Sequence, residues 1–409
     1  MKLPRAAILT VGDELLDGRI VNTNAAYLAY RLTDRGFLVS ATETAGDDEF
    51  AIADAIKGLC SRADTVLVAG GLGPTPDDVT REALAGAAGV LLVPDRALRQ
   101  QIAKRTGGRA PRKNARMARV PEGAHLFANP VGTAAGLCVA VGGTPVYALP
   151  GVPMEMEAIF EGSVVADLER RFRSAEPPPL RVLRVHGPRE AEVADLLGDL
   201  LARGGEPTVG VTVKTGVITI TVSGEGTDER ADAIRKVLGD HVFGENDDTL
   251  AAVVLREMRA RELSLGTAES ITGGMVASLC IDVPGASTVL RGAIVPYVSD
   301  LKHELLGVPR TVLKRAKNAS ADLALRMARA ARKRLDVDIA VATTGEAGPL
   351  PEGADIPAGS GFVAIAGPKA GKRGEAVQAC AFQGDRNTIR RRFAWAALDL
   401  LRRHLARQA

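Results

Sequence analysis

Two stretches of this 409-residue chain carry side chains whose type and spacing could do chemistry. The first is TAESITGG, residues 267–274, followed by Tyr297 and Lys302 in PYVSDLK. A serine at a strand-to-helix turn exposes its hydroxyl for acyl transfer, and Gly273 and Gly274 would let a carbonyl approach free backbone N–H groups. Such a serine needs a base. Of His125, His186, His241, His303 and His404, only the last two share its part of the chain, and His404 stands near the end of the last helix. Lys302 is the better candidate, provided burial or a nearby cation lowers its pKa from about 10.4. Tyr297 could relay the proton or orient the pair. The plain alternative is that Ser270 caps a helix, Tyr297 fills a strand and Lys302 is surface charge.

The second stretch is VLVAGGLGPTPDDVTREAL, in which Gly70, Gly71 and Gly73 follow an apolar run and Asp77 and Asp78 precede a helical pattern. Glycines allow backbone N–H groups to reach an anion, and a helix start adds a favourable dipole. The loop lacks both the Gly-Lys-Ser/Thr ending of a Walker A motif and the G-x-G-x-x-G fingerprint. Two carboxylates beside a phosphate repel it unless a divalent metal lies between them. Otherwise both aspartates simply favour the helix start. GDELLDGRIVNTN, after the first apolar run, should open at the same sheet edge.

These side chains need elements to hold them. Residues 6–11, 37–43 and 64–69 read as buried strands, separated by helical stretches such as 22–35, where Ala25, Leu28, Ala29 and Leu32 share a face. Strand, helix, strand at this spacing predicts a parallel sheet, continued by a strand in TPVYALPG and a helix from Met154. The run SAEPPPLRV reads as a stiff linker. Residues 180–245 predict a small α+β module, with a helix AEVADLLGDLLA (191–202), another near 228–238, and paired strands TVGVTVKTG and VITITVSG. From Thr249 strands and helices alternate again, ending in an amphipathic helix whose Ile389, Phe393, Ala396, Leu400 and Leu401 face a core.

Composition narrows the classes. The length suggests two or three domains. Hydrophobic residues at 46% and charged residues at 25% are ordinary for globular chains. Cys60, Cys138, Cys280 and Cys380 lie far apart, which argues against zinc and a disulfide framework and for a reducing cytoplasm. No run is long enough for a membrane span or a signal peptide. The net charge of +3 demands no nucleic acid. A local basic excess, from Arg96 through Arg105, Arg109, Arg112, Lys113 and Arg116 to Arg119, contains no aromatic residue to stack on bases. It reads equally as a solvated helix or a phosphate-facing patch.

AAILTVGDELLDGRIVNTNAAYLAYRL, AGGLGPTPDDVTREALA, RVPEGAHLFANPVGTAAG and LPGVPMEM resemble the first domain of the competence/damage-inducible CinA family, which shares its fold with molybdopterin-binding proteins. TAESITGG, VPGAS, GAIVPYVSDLKHELLGV and TGEAGP resemble, in order, the carboxy-terminal domain of that family. The resemblance implies a multidomain α/β chain: a molybdopterin-binding-like three-layer domain at 1–171, the small α+β module at 178–245, and a CinA-type α/β domain at 249–409. It further implies two cytoplasmic activities of pyridine-nucleotide recycling in a homodimer. One is metal-dependent (Mg, Mn or Co) hydrolysis of ADP-ribose, with Asp77 and Asp78 on the metal and Glu14, Asn22, Asn24, Gly71, Gly73, Asn129, Gly132 and Thr133 around the ligand. The other is deamidation of nicotinamide mononucleotide without a cofactor. There Ser270 would attack, Lys302 act as base and Tyr297 assist, with Thr272, Gly273, Gly274 and a turn at Thr344 and Gly345 around the substrate.

Some positions depart from the family pattern. Val298 and Ser299 stand where Ser-Asn usually follows the tyrosine, Glu346 stands for an isoleucine, and KNASAD (317–322) and residues 350–362 differ. These departures raise an alternative, a carboxy-terminal domain retained for nucleotide binding or assembly. A molybdenum-cofactor enzyme is a further alternative, drawn from the glycine loop and GDEL.

Overall fold

The computed structural model describes residues 3–108, 115–172, 177–202, 204–214, 216–316, 319–348, 357–367 and 374–407. Arg109, Arg112 and Lys113 of the basic stretch, Lys317 and Asn318, and residues 350–356 of the altered loop lie outside these. The chain forms two compact units, residues 1–178 and 179–409, divided within the run Pro177–Pro179. Each is described by itself.

In the first unit, β1 (Arg5–Val11), β2 (Leu38–Ala45), β3 (Thr65–Ala69) and β8 (Thr144–Leu149) run parallel, and β7 (Gly136–Val141) and β6 (His125–Phe127) extend the sheet antiparallel in the order β2-β1-β3-β8-β7-β6. β4 (Leu92–Pro94) and β5 (Arg119–Pro121) form a separate short pair. Strand side chains alternate, so each strand feeds two cores. Ala7, Leu9, Val66 and Val68 meet helices Glu49–Cys60 and Thr80–Ala88 on one face; Ala6, Ile8 and Leu67 meet helices Thr23–Thr33 and Pro153–Ile159 on the other. This is the expected three-layer α/β domain, with helix 22–35 realised as Thr23–Thr33 and Ala25, Leu28 and Leu32 buried. The antiparallel edge β7-β6 had no clear signal, because Gly136–Val141 is a short apolar run without flanking periodicity.

The second unit begins with an antiparallel sheet of order β10-β11-β9-β12, from β9 (Leu180–His186), β10 (Thr208–Lys214), β11 (Val217–Ser223) and β12 (Val242–Glu245). Helices Glu190–Leu197 and Thr227–Leu238 cover one face through Val193, Leu197, Ala231, Ile234 and Leu238. The next sheet has the order β14-β13-β15-β16-β17. β13 (Leu265–Glu269), β14 (Leu290–Ile294) and β15 (Ile339–Gly345) are parallel, and β16 (Ser360–Ala366) and β17 (Glu375–Ala381) add antiparallel pairs. The last helix, Arg386–Ala406, packs on this sheet and buries Ile389, Phe393, Ala396 and Leu401; Leu400 is only half-buried. No helix among the described residues is long and apolar enough to cross a membrane.

The middle module packs on that last helix. Trp395 meets His186 edge-on at 6.3 Å, and Gly216 leaves room for its ring, since a Cβ there would lie 2.9 Å from Trp395 Cζ3. Arg402 donates to Asp240 O at 2.6 Å while pairing with the buried Asp399.

Where β3 ends, Gly70 has φ 121°, and a Cβ there would sit 2.2 Å from Val11 O. Both strain and a backbone clash oppose any side chain. Gly70→Ala should therefore destabilise the first unit by roughly 2 kcal/mol or more, read as a lower urea midpoint for its unfolding; an unchanged midpoint would contradict the close approach.

Candidate active sites

Ser270 leaves the carboxyl end of β13 and is only 5% exposed. Its N–H donates to Thr343 O at 3.0 Å, which fixes the turn to β15. The next residue before it, Glu269, is fully buried and collects four hydrogen bonds. Thr267 Oγ1 donates to it at 3.0 Å, Thr272 Oγ1 at 2.7 Å, and the N–H groups of Val276 and Ala277 at 2.9 Å each. The carboxylate thus takes the first amides of helix Met275–Ile281, the positive end of its dipole. The Thr272 hydroxyl has one proton and spends it on Glu269, so Thr343 Oγ1, 2.7 Å away, must be the donor to Thr272.

The cap is therefore Glu269, and Ser270 Oγ has no hydrogen-bond partner among the described residues. Gly273 (φ 60°) and Gly274 (φ 93°) turn the chain into the helix. Across Ile271, Thr272, Gly273 and Gly274, no backbone N–H donates to an acceptor among the described residues.

β14 runs parallel to β13 with Ala268 opposite Ile294, so the chain after β14 leaves the sheet at the edge where Ser270 stands. Helix Ser299–Leu306 begins there and carries Lys302, which is 3% exposed. Burial lowers the Lys302 pKa, and the carboxylate of Glu346, just beyond β15, partly opposes that shift. No hydrogen bond among the described residues joins Ser270 Oγ to Lys302 Nζ. Tyr297 is half exposed, and its hydroxyl accepts from Arg386. Arg386 also donates to Gly348 O, and Arg390 donates to Thr272 O at 2.9 Å, so the start of the last helix walls this turn.

Three expectations change here. Thr272 serves the turn, since its hydroxyl is consumed by Glu269 and Thr343. Thr344 and Gly345 are the end of β15 rather than a turn, opposite Phe362 and Gly361 of β16. Gly345 is glycine because a Cβ would lie 2.7 Å from Ser360 O.

In the first unit, β1, β3 and β8 end at one edge above a cavity of about 440 Å³. Of the expected residues, Glu14, Gly71, Gly73, Asp77, Asp78 and Thr133 line it, with Asp47 and Glu155. Asn22, Asn24, Asn129 and Gly132 do not. Asn22 caps helix Thr23–Thr33 by accepting from Ala25 N at 3.0 Å, and Asn24 donates to Gly151 O at 2.7 Å. Asn129 accepts from Val131 N and Gly132 N and donates to Ala134 O and Glu155, which folds its own loop.

The two aspartates also part company. Asp78 accepts from Gly73 N and Thr75 N at 2.7 Å each and from the Thr75 hydroxyl, so its carboxylate builds the glycine loop. Asp77 is exposed beside the cavity. Burial raises the Asp47 pKa, and the charges of Asp13, Glu14 and Asp77 add to the rise. Among the described residues no three His, Cys, Asp or Glu groups converge to hold an ion by themselves.

The sequence pattern of the CinA C-terminal domain matches residues 247–405, that of the probable molybdopterin binding domain matches 7–170, and that of the damage-inducible protein CinA KH domain matches 180–244. A CinA-like protein of Frankia casuarinae is 41% identical, over 98% of this chain and 96% of its own length. The chain belongs to the CinA-like proteins. Another member, from Geotalea uraniireducens, is 36% identical over 98% of this chain and 97% of its own. A crystal structure of CinA with unknown function from Thermoplasma acidophilum is 40% identical, covers 40% of this chain and 98% of that one, and has a TM-score of 0.39.

In this CinA-like chain, sequence reasoning missed Glu269 and the arginines. Glu269 could have been suspected, because a carboxylate between a strand and Thr-Gly-Gly has helix amides within reach. Arg81 is buried and donates to Leu72 O and Gly73 O at 2.6 and 3.0 Å. Arg116 donates to Thr75 O, Pro76 O and Asp78 O, and Arg105 to Pro130 O and Gly132 O. Two residues of the basic stretch thus hold cavity loops by their carbonyls, which is neither of the roles expected for it.

Glu269→Ala leaves two buried hydroxyls and two helix amides without their acceptor, and should destabilise the second unit by about 3 kcal/mol. Urea unfolding checks this; a loss below about 0.5 kcal/mol would show that the network is not structural.

Proposed function

We propose that the carboxy-terminal domain hydrolyses the amide of nicotinamide mononucleotide to nicotinate mononucleotide and ammonia. One observation carries the reading: Glu269 caps the helix, leaving Ser270 Oγ unengaged at the sheet edge where a buried lysine of lowered pKa also stands. Ser270 Oγ attacks the carboxamide carbon and passes its proton to Lys302 Nζ. N–H groups from Ile271 to Gly274 receive the negative oxygen of the tetrahedral intermediate. Lys302 returns the proton to the amide nitrogen, the C–N bond breaks, and ammonia leaves. Water, deprotonated by Lys302, then releases the acyl group and restores Ser270. Tyr297 assists by holding Arg386 at the rim.

Purified protein should release ammonia from nicotinamide mononucleotide, and Ser270→Ala should abolish it. Tight binding of the nucleotide in calorimetry without turnover would favour a binding module instead. Lys302 must be unprotonated to act, so the rate should rise with pH through its folded pKa, below the ordinary lysine range. Glu346 favours the ammonium form; its removal in Glu346→Gln lowers that pKa further and should move the rising limb to lower pH. A limb that stays or moves upward argues against Lys302 as the base.

For the first unit we infer metal-dependent hydrolysis of ADP-ribose to AMP and ribose 5-phosphate. The donor set fits a divalent ion such as Mg, Mn or Co. Asp77, with Glu14 or Asp47, would hold it by one or two carboxylates, the remaining positions falling to phosphate oxygens and water. The ion would supply positive charge against the pyrophosphate as its bridging bond breaks. The chain's own part is to gather this acidic edge, which repels a phosphate until a cation is present, and to shape the loop through Asp78. Asp77→Asn should lower metal-dependent AMP release by about 100-fold or more, and chelation should abolish it. Retained activity in Asp77→Asn would remove Asp77 from the metal.

A further inference from the structure

The cavity of the first unit presents an electrostatic puzzle. Its lining contains Glu14, Asp47, Asp77, Asp78 and Glu155, and no lysine or arginine lines it among the described residues. An anionic ligand must find positive partners other than side-chain cations.

The peptide planes around the cavity supply them. In a trans peptide the C=O and the following N–H point to opposite sides, so a group that holds the carbonyl aims the amide. Thr80 Oγ1 donates to Gly70 O at 2.9 Å, and Thr80 N donates to Gly71 O at 3.2 Å. The N–H groups of Gly71 and Leu72 therefore point away from Thr80. Arg105 donates to Gly132 O, which turns the Thr133 N–H away from the arginine. Asn24 Nδ2 donates to Gly151 O at 2.7 Å, which turns the Val152 N–H away from the asparagine. Gly71, Leu72, Thr133 and Val152 all line the cavity, and none of their N–H groups donates to an acceptor among the described residues.

We propose that Asn24, Thr80 and Arg105 are positioning residues that aim the N–H groups of Gly71, Leu72, Thr133 and Val152 at the oxygens of a pyrophosphate-bridged ligand. This rests on the reading of the first unit as an ADP-ribose pyrophosphatase, and extends it by assigning ligand recognition to backbone amides. Glycine at Gly71 follows from the same geometry: a Cβ there would lie 2.2 Å from Thr80 Oγ1. Asn24, expected at the ligand, acts one step behind it through Gly151.

The test uses the full chain with Mg²⁺ and two probes, ADP-ribose and inorganic pyrophosphate, in calorimetric titrations at several salt concentrations. Arg105 is exposed and Asn24 half-buried, so their variants keep the core intact; Thr80→Ser, which retains the hydroxyl, is the conservative control. Arg105→Lys and Arg105→Ala should weaken binding equally, by about tenfold, because the two-pronged hold on Pro130 O and Gly132 O is lost in both. Asn24→Ala should cost a similar factor, Thr80→Ser should bind like the parent, and thermal midpoints should stay put. If Arg105→Lys binds like the parent while Arg105→Ala loses affinity and flattens the salt dependence, Arg105 touches the ligand by charge and the proposal falls. Binding of pyrophosphate with these losses, but not of ADP-ribose, keeps the proposal and refutes the substrate. A parent protein that binds neither refutes both.

Discussion

A single buried carboxylate organises the second unit's site. Glu269 would be costly to bury alone, and it is tolerated because two hydroxyls and two helix amides satisfy it. Those bonds tie β13, the Thr272 turn and the next helix into one body, and the Thr272–Thr343 bond extends it to β15. Ser270 sits between the carboxylate and the threonine, so its backbone is fixed on both sides while its hydroxyl is not recruited. The same arrangement leaves the amides of the glycine turn unspent. A polar network in a low-dielectric core is rigid only when complete, and this one is complete.

The first unit solves a related problem differently. Its cavity edge is made of loops rather than one turn, and loops do not hold peptide planes by themselves. Side chains along and behind the cavity do so: Asp78 in its lining clamps amides, Arg81, Arg105 and Arg116 clamp carbonyls, and Asn129 folds its own segment. Asp78 and Asp77, adjacent in sequence, end in different places: Asp78 turns back to the Gly73 and Thr75 amides, while Asp77 is exposed beside the cavity.

Much of this was legible in the sequence. The short buried apolar runs at 6–11, 37–43 and 64–69 and the helical stripe at Ala25, Leu28 and Leu32 located the parallel sheet, and the glycine-rich ends of β3 and β13 pointed to both edges. The antiparallel strands β7 and β17 escaped, since short apolar runs such as Gly136–Val141 carry no phase that separates strand from helix. At the sites, residue types were read well and their orientation was not. Asn22, Asn129, Thr272 and Asp78 have the chemistry of ligand-binding groups, but Asn22, Asn129 and Asp78 satisfy neighbouring backbone and the Thr272 hydroxyl is taken by Glu269 and Thr343, and spacing alone does not say which partner wins. The arginines were misjudged for the same reason: their charge suggested solvent or phosphate, while their forked donors met carbonyls.

The seam inside the second unit has a practical side. Trp395 is the single tryptophan of the chain, and it lies where the middle module meets the last helix, against His186 and over Gly216. Tryptophan emission from the intact protein thus reports on one junction only. It would register the middle module lifting off the carboxy-terminal domain, and a spectrum taken during unfolding of the first unit would carry no tryptophan signal from that unit itself.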